Sequence, residues 1–329
     1  MTYSQGSLIL ATDYNGFVST NVNANVNDVW GTGSGDKGWG QTPIGTVSAA
    51  GTITATQWAS LVNTLTTMGS QTGTAITSRS APTAGNTITI LSDLNTDLTN
   101  INTNRGNAAG LGSQYTSWSG TSAKTSGTGS GSTAWTITFT HTVTWASANA
   151  CRAFFNAGGL IKCQFGKSST GQLADAEWND LASTLCGSIF ISGRVNGASQ
   201  TIAGTPYTGT TKVGGTGTPN TLTTTTGYYN FTTSDTLIYK QFADTAPYTG
   251  QFIALNAKTA GSGTQLVLTT TWTDPGASGA GSSDAISGGT DSSGVTFGTA
   301  PATIVTYFPP STTYLTNSWG TPTVSGAVS

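Results

Sequence analysis

One segment near the middle of the chain strongly restricts what it can form locally. Residues 135–145 read WTITFTHTVTW, with threonine at every even position and an aromatic, aliphatic or histidine side chain at every odd one. A period of two places alternate side chains on opposite faces of an extended strand. We therefore predict a long β-strand here, with one buried face and one face of threonine hydroxyls.

The chain is poor in charge for its length. Only 7% of its 329 residues are charged, compared with roughly 25% in an average soluble protein, and the net charge is −2. The 9% of aromatic residues argues against disorder, which goes with few aromatics and high charge. Because so small a net charge gives little repulsion between copies, we predict a homo-oligomer. The same balance predicts no nucleic-acid binding.

A short phrase typical of a helix start occurs three times. The copies are Ile9–Tyr14, Ile53–Trp58 and Leu173–Trp178. In each copy an aliphatic residue precedes an aromatic residue by five positions, so the two would form the N′ and N4 pair of a hydrophobic staple. The middle copy adds a capping box between Thr54 and Gln57, whereas Leu10 and Ala174 at the other N-cap positions lack a side-chain acceptor. The phrase therefore predicts rigid helix entry and packing.

Residues 1–115 are predicted to form a helical N-terminal segment for assembly or attachment. The apolar positions that keep helical spacing after Trp58 are Leu61, Val62, Leu65 and Met68, with Gly69 as the predicted stop. The stripe of a second helix, over residues 90–101, consists of Leu91, Leu94, Leu98 and Ile101. That stripe either packs within the segment or lies on a symmetry axis.

Three further regions follow. Residues 116–133 are rich in Ser, Gly and Thr and predict a linker or exposed loop. Residues 134–195 predict an α+β unit, in which the long strand precedes a helix over 148–157 and a strand over 160–165. The third helix start completes this unit. Residues 196–329 predict a β-rich region with an extended tail.

The C-terminal pattern predicts antiparallel sheets packed as a β-sandwich or jelly roll. The strand candidates are Ser188–Ile191, Thr236–Phe242, Gln251–Ala257, Gln265–Trp272 and Ala302–Phe308. From Ser318 onward we predict a mobile tail or an arm that docks on a neighbouring subunit. The predicted fold class is thus α+β: an N-terminal helical segment, a central α+β unit and C-terminal antiparallel sheets.

Residues suited to catalysis are few. His141 is the only histidine and lies on the apolar line of the long strand, so a core or interface role is favoured over a catalytic base. Glu177, the only glutamate, stands near Asp175 and Asp180. Paired carboxylates can hydrolyse glycosides, but acids in the first turns of a helix also offset its dipole, and we favour the second interpretation. We predict no catalytic residue, no bound metal and no cofactor.

The glycine loop Gly31–Gly38 resembles a phosphate loop only superficially. It has no Lys-Ser/Thr pair that opens a helix, and no clear apolar strand precedes it. We predict instead that the flanking Trp30 and Trp39 pack against another part of the chain.

Two other groups of residues carry weak chemical signals. A Gly/Ser-rich stretch with acids at Asp274, Asp284 and Asp291 could bind calcium, although the spacing fits no known calcium loop. The cysteines lack metal or redox spacing; they are Cys151, Cys163 and Cys186. We expect free, buried thiols made in a reducing compartment, with a Cys151–Cys163 disulfide as the alternative.

Aromatic residues in the polar C-terminal region allow two interpretations. Tyr228, Tyr229 and Trp272 could line a surface that binds host glycans. They could equally fill the sandwich core or a subunit interface, which is the interpretation we favour.

The first residues, Met1–Gly6, contain no basic region and no long apolar core follows, so we expect no signal peptide. No stretch approaches the length of a membrane span, so we expect no membrane insertion.

Four phrases resemble segments of tailed-phage virion proteins. They are Tyr3–Gly6, Ala11–Asn15, Trp30–Asp36 and Phe154–Ile161. The first three resemble the N-terminus of phage structural proteins, and the fourth, with its Phe-Phe-Asn-Ala-Gly-Gly run, is similar to tail and neck-region proteins that include those of cyanophage-like myoviruses. The resemblance covers residues 1–63 and 135–192. It implies a non-enzymatic virion component of the tail, neck, collar, baseplate or fibre, synthesised in the host cytoplasm.

The phrases are packing motifs, so no active-site residue follows from the resemblance. The residues that we predict to serve packing and assembly are Tyr14, Trp30, Trp58, Phe154, Phe155, Gly158, Gly159 and Trp178. Within the Phe-Phe-Asn-Ala-Gly-Gly run, the two glycines would permit a left-handed turn from a helix into a buried strand.

The function predicted from the sequence is therefore a homo-oligomeric virion structural protein. Its partners would be its own copies, with a trimer favoured over a ring, and other virion proteins. A carbohydrate-binding adhesin at the tail tip is the main alternative, and a head decoration protein is another. A depolymerase is disfavoured because the only glutamate lies in a predicted helix.

Overall fold

A computed structural model describes residues 9–20, 24–84, 93–115, 134–168, 173–193, 198–275 and 300–329. The predicted linker at 116–133 lies outside these ranges, as do Leu91, Asp284 and Asp291. Helices and antiparallel sheets both contribute substantially, so the predicted α+β class is confirmed.

Six α-helices are formed by the described residues. They are α1 Ala11–Asn15, α2 Val26–Val29, α3 Ala55–Thr72, α4 Leu94–Thr103, α5 Ala148–Asn156 and α6 Leu173–Asn179. Two π-helical turns, Gly16–Thr20 and Asp180–Leu185, continue α1 and α6 respectively. The helices expected in residues 1–115 and after the long strand are therefore present.

The start of α3 has the predicted capping box. The Thr54 hydroxyl accepts a bond from the Gln57 N–H at 3.3 Å, and the Thr54 N–H donates to Gln57 Oε1 at 2.8 Å. The predicted stop at Gly69 is wrong, because α3 continues to Thr72 and is capped by Gly73 in the left-handed region. Gly69 instead allows the returning chain to approach closely: a Cβ there would lie 3.1 Å from the Thr74 carbonyl oxygen.

The other two helix starts differ from each other. At α1, Leu10 is the N-cap as predicted, and its N–H donates to the Asp13 carboxylate at 2.9 Å, so half of a capping box forms without a polar N-cap side chain. At α6 the predicted N-cap Ala174 is wrong, because the helix already includes Leu173. Alanine has no side-chain acceptor that could stop the helix at that position.

Twelve strands are formed by the described residues. They are β1 Trp135–Thr144, β2 Leu160–Gly166, β3 Ser188–Ile191, β4 Gln200–Ile202, β5 Thr205–Tyr207, β6 Thr210–Val213, β7 Thr221–Leu222, β8 Thr236–Phe242, β9 Phe252–Ala260, β10 Gln265–Asp274, β11 Ala302–Phe308 and β12 Thr323–Val328. The large sheet has the order β12-β1-β10-β9-β8-β7, the small sheet β11-β2-β3-β6, and β4 and β5 form a hairpin. Every pairing is antiparallel.

Strand β1 has the predicted alternation. Its odd positions from Trp135 to Val143 are buried, and its even threonines are half-buried or exposed. Three of these threonines stand opposite threonines of β10 in the register, at Thr136/Thr273, Thr138/Thr271 and Thr140/Thr269. The outer face of the β1–β10 pair is therefore a surface of paired hydroxyl groups.

The inner faces of the two sheets contact each other. Cys163 Sγ of β2 lies 3.9 Å from the Thr270 hydroxyl of β10, and the Trp272 indole N–H donates to the Thr303 hydroxyl of β11 at 3.4 Å. The rings of Phe165 and Tyr239 stack at 6.0 Å. These contacts produce the predicted sandwich arrangement.

The boundary predicted at residue 195 does not separate two units. Strand β1 pairs with β10 and β12, and β2 pairs with β11, so both sheets combine strands from either side of that position. The N-terminal segment shares the same hydrophobic cluster. Its Trp39 indole N–H donates to the Asn156 carbonyl oxygen at 3.1 Å. Burial of a common core thus overrides the local changes of composition on which the boundary rested.

The mobile tail or docking arm predicted from Ser318 onward is also wrong. Trp319 is buried, and β12 pairs in register with β1 from Thr323/Thr144 to Val328/Phe139. The C-terminal segment closes the chain's own large sheet, because the neighbouring β1 offers a long row of backbone partners.

Candidate functional site

The first two helix starts meet through their aromatic residues. Tyr14 and Trp58 contact edge to face, with ring centroids 5.4 Å apart, and both side chains are fully buried. The Tyr14 hydroxyl is within hydrogen-bond distance of the Gln57 carbonyl oxygen, at 3.3 Å. Each N4 aromatic residue thus packs against the other helix start and fixes the angle between the two helices.

The glycine loop Gly31–Gly38 is held by α5. The Arg152 guanidinium donates to the carbonyl oxygens of Gly35 and Lys37, both at 3.0 Å, and the Asn156 amide also donates to Lys37, at 2.9 Å. The loop thus directs carbonyl oxygens at Arg152, a cation of the same chain. A phosphate loop does the opposite, because it directs backbone N–H groups at an anion. No local sequence pattern predicted that Arg152 would be this partner.

Trp30 and Trp39 flank this loop, as expected. Their ring centroids are 6.3 Å apart; Trp39 is buried, whereas Trp30 remains half-buried with its N–H donating to the Thr42 carbonyl oxygen at 2.9 Å. Trp30 therefore lies at the periphery of the core.

The Phe-Phe-Asn-Ala-Gly-Gly run forms the centre of the molecule. Phe154 and Phe155 contact each other at 5.2 Å and lie within 5.6 Å of the Trp145 ring. Gly158 has φ +100°, and a Cβ there would lie 2.5 Å from the Ala108 Cβ. A Cβ on Gly159 would lie 2.6 Å from the Phe154 ring. Both glycines are therefore required by space, and Gly158 also by its backbone conformation.

The burial of Trp272 and Tyr228 agrees with the favoured core interpretation and argues against the glycan alternative at these two residues. Trp272 is fully buried and stacks on Trp178 at 5.7 Å, so neither face of its ring is open to a sugar. Tyr228 is 7% exposed and stacks on Phe155 at 4.3 Å. Tyr229 is half-buried and its hydroxyl donates to the Asn156 side chain. Trp272 and Tyr228 thus belong to the hydrophobic core, and Tyr229 packs against it.

The cysteines are buried and free, as predicted. Burial raises the pKa of each thiol to about 12, and reactivity requires the thiolate, so Cys151, Cys163 and Cys186 are unsuited to nucleophilic chemistry. His141 is 1% exposed, on the buried side of β1 as expected.

The acids of α6 and the turn after it have separate environments. Asp175 forms a buried ion pair with Lys167. Glu177 and Asp180 instead lie close to Asp244, and each of these three carboxylates has an oxygen within 4.8 Å of the other two. Burial raises the pKa of Glu177, bonds from Thr245 lower it, and the charges of Asp180 and Asp244 raise it further. Asp244 follows β8 and carried no sequence signal, because only the tertiary fold brings it to α6.

Strand β12, at one edge of the large sheet, and strand β11, at one edge of the small sheet, differ in how their free sides are covered. Tyr115 and Tyr307 exchange backbone hydrogen bonds at 2.8 and 3.0 Å, so residues near Tyr115 cover part of the free edge of β11. Strand β12 is the last strand of the large sheet, and no described residue pairs with its outer side.

The backbone groups at that open edge can be identified from the register. Thr138 and Ser329 exchange two backbone hydrogen bonds of 2.9 Å. Antiparallel alternation then directs the N–H and C=O groups of Val324, Gly326 and Val328 away from β1.

A groove of about 350 Å³ opens where residues 112–115 cross β11. Tyr115 is 50% exposed there and stacks on the buried Tyr307 ring at 5.6 Å. Pro310, Asn317 and Thr321 line the same groove. The Tyr115 ring is thus more accessible than the aromatic residues considered as glycan contacts from the sequence, namely Tyr228, Tyr229 and Trp272.

In the part of the chain that the structure describes, no helix is both long and apolar enough to cross a membrane. Comparison with known proteins found no match, whether among family models, curated proteins or solved structures.

Proposed function

We propose that this chain is a structural subunit of a homo-oligomer, and specifically a component of a tailed-phage virion. The observation that carries the oligomer is the open edge of β12. The phage assignment is supported by the phrases in residues 1–63 and 135–192 that resemble virion proteins. No enzymatic activity is part of the proposal.

An exposed sheet edge is a template for pairing with another chain, and proteins commonly protect such edges with charges, prolines or bulges. Strand β12 reads TVSGAV and contains no charged residue and no proline. Its pairing with β1 runs without a break in register. The outward groups of Val324, Gly326 and Val328 therefore offer a regular hydrogen-bonding row. The low charge of the chain adds little repulsion against a second copy.

The symmetry depends on which strand takes this edge. Antiparallel pairing of β12 with itself is isologous and gives a dimer. Pairing with another edge, such as β6 with its exposed Val213, is heterologous and can close a ring or the trimer that we favour. A trimer of the 33.3 kDa chain would have a mass of about 100 kDa.

Light scattering after size exclusion tests the proposal. We expect the wild type to form an oligomer and Gly326→Pro to be a monomer with nearly unchanged thermal stability, because the N–H lost at 326 points outward. Ser325→Pro is the matched control: it removes an N–H that bonds to β1, so it should lower the stability of the subunit itself. A wild-type monomer at high micromolar concentration would contradict the oligomer.

The virion assignment has its own test. Antibody labelling of intact phage particles should place the protein at the tail, neck, collar, baseplate or fibre. Labelling confined to the head surface would favour the decoration-protein alternative, and an oligomer that is missing from purified particles would refute the virion role alone.

The groove at Tyr115 favours a second candidate function, carbohydrate binding by a tail-tip adhesin. An exposed tyrosine ring braced by a second ring presents a flat face, and nearby hydroxyl and amide groups can bond to sugar hydroxyls. Binding to a glycan array should be lost in Tyr115→Ala and kept in Tyr115→Phe, with equal stability of the two variants. No binding by the wild type to a broad host-surface set would remove this candidate.

A further inference from the structure

Three carboxylates from two separate parts of the fold meet at one end of the sandwich. Glu177 belongs to α6, Asp180 opens the π-helical turn that follows, and Asp244 lies just beyond the end of β8. Each offers an oxygen within 4.8 Å of the other two. α6 and its turn connect two strands of the small sheet, whereas β8 belongs to the large sheet, so the cluster spans both sheets.

No cation of the described residues neutralises this cluster. Asp175, two positions before Glu177, has Lys167 as its ion-pair partner. Among the described ion pairs, none includes Glu177, Asp180 or Asp244. Of these two buried acids of α6, Asp175 therefore has a lysine as its ion-pair partner, whereas Glu177 has no cation among the described residues.

A second observation points to a ligand. Glu177 is only 7% exposed, and its Oε1 atom is buried without a hydrogen-bond donor from the described residues. The Thr245 N–H donates to the Glu177 carboxylate, and the Thr245 hydroxyl donates to Asp244 Oδ1 at 3.2 Å, so the two acids are held in position. A buried carboxylate oxygen without a donor is costly unless a cation or a proton satisfies it.

We propose that Glu177, Asp180 and Asp244 bind a divalent cation, and that calcium is the ion they fit best. Two oxygens on opposite sides of calcium, at about 2.3–2.6 Å each, are separated by roughly the span of this cluster. All three ligands are hard oxygens, with no histidine or cysteine in the group, which excludes a zinc-type donor set. Asp180 is half-buried and Asp244 is exposed, so water can complete the coordination that calcium requires.

The bound ion would tie α6 to the chain segment after β8 and so link the two sheets. Magnesium fits less well, because it requires near-ideal octahedral geometry and gives up its water reluctantly. The inference does not depend on the oligomer: binding should occur once per chain, and equally in the Gly326→Pro variant.

Equilibrium dialysis of the full-length chain with calcium, together with thermal unfolding, tests the proposal. We expect saturable binding of one ion per chain below about 10 mM calcium and a rise in the unfolding temperature at constant ionic strength. Glu177→Gln and Asp244→Asn should weaken binding by at least about tenfold, since affinity follows the number of charged ligands. Asp235→Asn is the matched control, because Asp235 is an exposed acid paired with Lys258 outside the cluster.

The sign of the stability change distinguishes a ligand from a structural role. In the presence of a chelator, Glu177→Gln should be at least as stable as the wild type, because it relieves repulsion; with calcium, the wild type should be the more stable. Should Glu177→Gln fail to fold, Asp244→Asn at the exposed ligand takes its place. Absence of saturable binding, binding unchanged in these variants, or a preference for magnesium would overturn the calcium site.

Discussion

The region around α5 and the face of α6 that carries Glu177 differ in whether their buried polar groups have hydrogen-bond or ion-pair partners. Around α5, the Asn156 side chain bonds to the loop carbonyls, and the glycines leave no room for a Cβ. At α6, Glu177 Oε1 lacks a hydrogen-bond donor among the described residues. The outward N–H and C=O groups of β12 in the large sheet likewise have no hydrogen-bond partner among those residues. The bonds of Asn156 serve the stability of the subunit, whereas the buried Glu177 carboxylate and the open β12 edge are the places where we propose that an ion and a second chain bind.

The largest effect should come from Gly158→Val. Its φ of +100° and the 2.5 Å approach of a Cβ to Ala108 combine backbone strain with overpacking, so we expect a loss of about 4 kcal/mol or more in the free energy of unfolding. Gly204→Val is the control, because Gly204 also has a positive φ of +81° but has open space around it. Urea unfolding measures both, and equal losses would show that the region around α5 is not tightly packed.

Removal of the lysine that pairs with Asp175 in α6 should have the next largest effect on stability. Lys167→Met leaves the buried Asp175 carboxylate without its cation, which costs about 3 kcal/mol or more. Lys258→Met removes a surface pair in which Asp235 is exposed and Lys258 is half-buried, so it should change stability by less than about 1 kcal/mol. If both variants lose the same small amount, Asp175 is as weakly held as a surface acid.

A smaller effect is expected at the α3 helix start. Thr54→Ala removes the acceptor for the Gln57 N–H and should cost about 1 kcal/mol in thermal or urea unfolding. Thr56→Ala lies in the same first turn but is exposed and does not cap, so it should be close to neutral. A neutral Thr54→Ala would mean that the staple alone holds this helix start.

The smallest effect should be the pH dependence at Glu177. Its pKa is raised in the folded chain, chiefly by burial, so the folded state keeps a proton that the unfolded state has released. Without divalent cations, stability relative to Glu177→Gln should therefore fall as pH rises from the ordinary range of glutamate, about 4.3, through the raised value. A difference that is independent of pH over this window would show that folding does not raise the pKa of Glu177.

Much of the secondary structure could be predicted because it rests on local patterns. Strand β1 follows from strict alternation, β3, β8 and β11 match the predicted ranges, and the capping box at Thr54 forms as expected. The short polar strands and β12 were missed, because a segment such as TVSGAV has neither a strong apolar period nor bulky side chains. Its strand conformation comes from the backbone partners that β1 provides.

The candidate site was less predictable. Trp272 lies on a predicted strand, but which face of that strand is buried depends on the position of the second sheet. Asp244 becomes significant only because the end of β8 reaches α6. Both depend on contacts between residues far apart in the chain, which a pattern of neighbouring residues cannot specify.

The paired threonines on the outer face of β1 and β10 have a further consequence. Their hydroxyl groups do not titrate at any pH that the folded chain would survive, and across this face β12 adds only small uncharged residues such as Ser325 and Ala327. Contacts made through the part of this face that β12, β1 and β10 form would thus be nearly indifferent to acidity and ionic strength, since there is little charge there for salt to screen. Such a surface would keep the same contacts in media of very different composition.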